Sequence, residues 1–245
     1  LLGRHQCETL RFFSGPGAAD ERQPAFDQVI RPEEAACPSH RSTTMALPDF
    51  SVEHLKRLPL RGIVAFAARC ARRVESLSRL PDGDPGGDGR LAQIEAALRL
   101  AEGFAGGSTT PPDPRVLAAV DALAADPSGG PARDAAAAAA RAAHAAVSAW
   151  NSVGAREVER FRPIEGRTSD GQDLLGTLSD LTVDLAALDA FTAAVNAYEA
   201  AGSGRAQFVA SAFNDYDRLL RMELGHYPEP GRAINPAPDG PLGPL

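Results

Sequence analysis

Between residues 60 and 77 the apolar side chains return every three or four positions: Leu60, Ile63, Val64, Ala67, Cys70 or Ala71, Val74 and Leu77. That interval matches the turn of an α-helix and gives it one apolar stripe. The same spacing recurs along the chain, in segments closed off by glycine and proline. Leu91, Ile94, Leu98, Ala101 and Ala105 mark a helix ended by Gly106 and Gly107. Pro111, Pro112 and Pro114 start a short one with Val116, Leu117, Val120 and Leu123. Pro131, at a favoured first helical position, opens a long alanine-rich helix carrying Val147, Trp150, Val153 and Val158. Pro163 ends it. A second long helix runs from Asp173 along Leu174, Leu178, Leu181, Leu185, Leu188, Phe191, Val195 and Tyr198, and stops at residues 202–204. A last helix carries Phe208, Ala212, Tyr216, Leu219 and Met222 and stops at Gly225. Ahead of them all, Ser51 caps a short helix with Val52, Leu55 and Leu58, and Pro59 breaks or restarts it. No stretch alternates β-branched and polar residues, so the pattern leaves no sheet. The expected fold is all-α: a bundle of about six to seven helices with an extended proline-rich C-terminal tail.

The 245 residues allow one domain, or one domain with tails. Residues 1–44 lack sustained periodicity and precede Met45, the first methionine. They are expected to be a disordered extension, or extraneous sequence translated from a start codon placed too early. Residues 45–227 then form the helical domain and residues 228–245 the tail. Prolines at 228, 230, 236, 238, 241 and 244 bar a regular helix there and suit extended polyproline-like structure. The PxxP spacing suits a partner's groove. Ile234, Leu242 and Leu245 instead let the tail strap back over its own helices.

Charge is unevenly spread. Residues 55–80 carry Lys56, Arg57, Arg61, Arg69, Arg72, Arg73 and Arg79, with Glu75 as the one acid. Residues 170–229 hold ten acids against Arg205, Arg218 and Arg221. Opposite charges in two parts of one chain most simply face each other. Arg69, Arg72 and Arg73 share a helix face and form the candidate binding site. Such a face suits phosphates or an anionic membrane surface. Against this, the net charge of −7 disfavours a general nucleic-acid coat protein, and Phe66 is the segment's sole aromatic residue.

Other chemistry is sparse. Glu223 and His226 have the Glu-x-x-His spacing of di-iron bundles, but there is no second such motif. The plain alternative for His226 is a cap at the negative end of a helix. Asp82, Asp84 and Gly87 begin like a calcium loop, yet Gly86 and Gln93 stand where oxygen ligands are needed. Asp173, Asp180, Asp184, Asp215 and Asp217 supply carboxylates for metal or acid–base work, or for pairing with Arg69, Arg72 and Arg73. Cys70 lies near an apolar stripe, where a buried thiol is the default. Cys7, Cys37 and Cys70 make no disulfide framework, which fits a reducing cytoplasm. No segment approaches the ~20 apolar residues of a membrane span, and no secretory signal is recognisable. No bound metal or cofactor is expected.

Two segments, LPLRGIVAFAARCARRV (58–74) and DYDRLLRMELGHYPEPGRAINPAPDGPLGPL (215–245), resemble a group of uncharacterised proteins from planctomycete-type bacteria. The resemblance implies a bacterial cytoplasmic protein and assigns no site residue. A basic side populated by 24 arginines and one lysine also fits a high-GC genome. The leading expectation is a non-enzymatic interaction or scaffold module, with a protein partner or self-association. The alternatives are a nucleic-acid-associated regulator using residues 55–80, and a metal-dependent enzyme using helix carboxylates with His226.

Overall fold

Among the described residues, seven α-helices form where proline and glycine close off the apolar stripes. In the computed structural model they are α1 (Val52–Leu55), α2 (Leu60–Val74), α3 (Gly87–Ala105), α4 (Pro114–Ala124), α5 (Pro131–Arg160), α6 (Asp173–Ala200) and α7 (Arg205–Arg221). A 3-10 turn, Glu75–Ser78, extends α2. The structure describes residues 50–79, 87–125, 129–160, 173–202 and 204–245, with backbone alone at 87, 158–160 and 173–181. Among the described residues there is no strand, and no helix is long and apolar enough to cross a membrane. Asp113 caps α4 by accepting the Arg115 amide at 2.7 Å, with Pro114 in the first helical position. Gly107, at φ +94°, closes α3 in the left-handed conformation that glycine adopts most readily.

The basic helix is the centre of the bundle. α2 packs against α3, α5, α6 and α7. Twelve of its fifteen residues are buried, so it is a core helix rather than a surface helix with one apolar face. Alanine makes this crowding possible. Ala187, Ala190, Ala194 and Ala197 line one face of α6, and Ala135, Ala139, Ala142, Ala146 and Ala149 are among the buried alanines of α5. Small side chains let two long helices lie close along their length, and α5–α6 is the most extensive helix pair. Ala194→Leu is therefore expected to overpack the bundle and cost about 1–3 kcal/mol. Urea unfolding checks this; an unchanged midpoint would mean that position 194 has room to spare.

Several of the described aromatic residues gather around Phe50. Phe50 stacks on Phe66 and His54 at centroid distances of 5.0 and 5.5 Å, and meets Phe213 and Tyr216 edge-on. Phe191 joins the same group. These contacts fasten α1 to α2, α6 and α7.

Residues Ala46–Leu245 form one compact unit, tail included. The tail is a strap. The Leu60 and Arg61 amides, left unpaired by the start of α2, donate to the Glu229 and Pro230 carbonyls at 2.9 and 3.0 Å. The Arg61 guanidinium donates to the Gly231 carbonyl at 2.9 Å. The Ile234 amide donates to Ala105, pairing a carbonyl at the end of α3. Arg156 and Arg218 hold the carbonyls of Pro228 and Leu242. Ile234 and Leu242 are buried and complete the core, whereas Leu245, expected to pack with them, is exposed because the chain runs outward past the α7 face beyond Leu242.

Candidate functional site

Arg69 lies in the middle of α2 with no accessible surface. Its Nε and one terminal nitrogen donate to the two oxygens of Asp215 on α7, each at 3.0 Å. This side-on, bidentate arrangement is the strongest form of the arginine–carboxylate pair. The other donors go to the tail: to the Gly243 carbonyl at 2.7 Å, Pro244 at 3.0 Å and Pro236 at 3.3 Å. A buried guanidinium is tolerated only when its charge and its donors are all met. Asp215 answers the charge and the strap answers the donors. Arg73, one turn on, adds a 2.6 Å bond to Asp215.

Arg72 faces another way. It bonds to Glu102 and Glu95 on α3 at 2.7 and 2.5 Å, and to Glu75 at 3.0 Å. The bond from Arg72 holds the Glu95 carboxyl below the usual carboxylate range, against the opposing effect of its partial burial. The acidic stretch 170–229 thus answers Arg69 and Arg73 through Asp215, whereas Arg72 is answered by α3. The three arginines do not share one outward basic face.

The remaining sequence candidates are dispersed. α7 ends at Arg221; Glu223 follows in the left-handed region at φ +49°, and both Glu223 and His226 are exposed. Off the helix, the pair cannot project inward as a Glu-x-x-His motif requires. Asp184 is buried and accepts the Tyr227 hydroxyl at 3.0 Å. Asp217 is exposed. Among the described residues no three His, Cys, Asp or Glu side chains gather as a metal site would need. The side chains of Asp173 and Asp180, the loop with Asp82 and Asp84, Cys7, Cys37 and residues 1–44 lie outside what is described. Burial, and secondarily the Asp215 charge, push the Cys70 thiol far above its ordinary range, so it is not a thiolate nucleophile at neutral pH.

Sequence reasoning treated Trp150 as one apolar residue of α5 among several. It stands between two open recesses. One, of about 540 Å³, runs between α3 and α4 along Ala92, Ala96, Leu100, Val116 and Trp150. The other, of about 470 Å³, follows Phe104, Leu117, Val147, Val153 and Trp150. Ser108 and Pro112 border both. The Trp150 indole N–H donates to the Ser108 carbonyl at 3.2 Å, and its ring meets Phe104 edge-on at 5.1 Å. These contacts fix the ring at the mouth of both recesses. Glu95, Arg99 and Asp113 edge the first, Arg61 and Glu157 the second. The available signal was that Trp150 is the chain's single tryptophan.

No family model, curated protein or solved structure matches the chain.

Proposed function

We propose that the chain is a non-enzymatic interaction module that receives an apolar segment of a protein partner across Trp150. The carrying observation is the paired recesses sharing one ordered tryptophan. Two adjacent open hollows with charged edges suit successive aliphatic side chains of a polypeptide better than one enclosed small molecule. A rigid aromatic residue at the centre is the usual energetic anchor of such a contact. The arginines favour this reading over phosphate-backbone binding, because Arg69 has no surface and Arg72 faces three carboxylates. We place the module in a bacterial cytoplasm, on its cysteine usage and the resemblance of its two conspicuous segments.

The test pairs affinity capture with a blocked variant. Ala92 is exposed at the edge of the first recess, so Ala92→Arg fills it without touching the core. A protein captured by the wild-type chain and lost with Ala92→Arg is then purified and titrated by isothermal calorimetry. Trp150→Ala is expected to weaken that binding about thirtyfold, in line with a central aromatic anchor. A purified partner that binds Trp150→Ala as well as wild type, or the absence of any protein lost with Ala92→Arg, would remove the Trp150 surface from consideration. Duplex DNA binding that falls steeply with salt would favour the regulator instead.

A further inference from the structure

α2 carries four arginines, and Arg61 is set apart from the other three. Arg69 and Arg73 meet Asp215, and Arg72 meets Glu75, Glu95 and Glu102. Among the described residues Arg61 makes no ion pair; the one partner of its guanidinium is the neutral carbonyl of Gly231, at 2.9 Å. Its position sharpens the imbalance. Arg61 is the second residue of α2, at the end where a helix carries partial positive charge, and no acid in the first turn offsets either.

Arg61 is also half-buried, at the edge of the second Trp150 recess. Phe104, Val147 and Trp150 give that recess an apolar wall. A charge pair is stronger beside such a wall than on an open surface, because less water screens it. Glu157 stands on the same recess, but it is exposed and makes no ion pair with Arg61. The recess therefore offers aliphatic contact beside a positive charge that the described residues leave without a carboxylate.

We infer that the protein segment received across Trp150 carries an acidic side chain next to its aliphatic ones, and that its carboxylate pairs with Arg61. This requirement of charge rests on the Trp150 reading and adds to it the chemistry of the partner. A guanidinium presents a planar edge of donors that matches a carboxylate. The bond to Gly231 holds the group in place before the partner arrives, which lowers the cost of ordering it. A segment with lysine or arginine at that place is disfavoured by like-charge contact.

Short random peptides, displayed as fusions that present no free C-terminal carboxylate, are selected on the full chain. The expected binders place Asp or Glu beside aliphatic residues. A selected peptide is then made with an amidated C-terminus, once with its acid and once with the corresponding side-chain amide. Both are titrated by calorimetry into the wild-type, Arg61→Gln and Trp150→Ala chains. Arg61→Gln removes the charge but keeps a donor for the Gly231 carbonyl, so the strap and the fold are retained, which helical circular dichroism checks. It is expected to weaken the acidic peptide about tenfold or more and to leave the amide peptide little changed. Binders that depend on Trp150 without carrying an acid, or equal affinities of the acidic peptide for wild type and Arg61→Gln, overturn the charge requirement and leave the Trp150 reading standing. So do equal losses for the two peptides. A selection whose binders are indifferent to Trp150→Ala, or that yields no binder, overturns both.

Discussion

Asp215→Ala is expected to lower stability by about 3–5 kcal/mol, the range found when one partner of a buried ion pair is removed. The cost comes from what stays behind. The Arg69 guanidinium remains sealed between α2, α7 and the tail, with no surface through which water can replace the carboxylate. Arg73 loses its one carboxylate partner at the same time. Asp215→Asn keeps the shape and one acceptor oxygen and is expected to fall between the alanine variant and wild type. Removing Arg69 harms the other side: the carbonyls of Pro236, Gly243 and Pro244 lose their donor. Urea unfolding followed by helical circular dichroism measures all three. A loss below about 1 kcal/mol for Asp215→Ala would mean that Arg69 reaches water, because solvated pairs contribute no more than that.

Gly231→Ala is expected to cost about 2–4 kcal/mol, from a strained backbone and a clash that cannot relax. Gly231 sits at φ +74°, a conformation L-residues rarely adopt. An added Cβ would lie 2.5 Å from the Pro59 ring and 2.7 Å from the Leu224 carbonyl. Neither neighbour is the flexible end of a side chain. If the strap shifts to relieve the overlap, the Leu60 and Arg61 amides lose the Glu229 and Pro230 carbonyls that pair them. Hydrogen exchange at those two amides should therefore accelerate more than exchange in the middle of α5. Unchanged protection at Leu60 and Arg61 would show that the tail is not what caps α2.

The helices were readable because their boundaries are chemical. Pro59, Pro114 and Pro131 start helices and Gly106–Gly107 and Gly202 stop them, and each acts within a few residues. The placement of Arg69 was not readable, for the same reason inverted. Periodicity set it off the apolar stripe of α2, as it would any arginine. What buries it is Asp215, 146 residues away, and a row of backbone carbonyls, which leave no trace in residue identity. Arg72 was closer to legible, since Glu95 and Glu102 lie seven apart, two turns along one face of α3. The tail's role was half visible: Ile234 and Leu242 announced apolar contact, but nothing in a proline-rich segment told which helix it would cap. The recesses around Trp150 depend on how α3, α4 and α5 meet, which local spacing does not encode.

The central claim is that Arg69 is an internal anchor joining α2, α7 and the strap, not a ligand-facing charge. The most direct test is a double-mutant cycle with Arg69→Met, Asp215→Ala and the combined variant, read by urea unfolding. Residues in direct buried contact couple, so the double variant should retain about 2 kcal/mol or more relative to the sum of the single losses. Strictly additive losses would contradict the claim and return Arg69 to the surface.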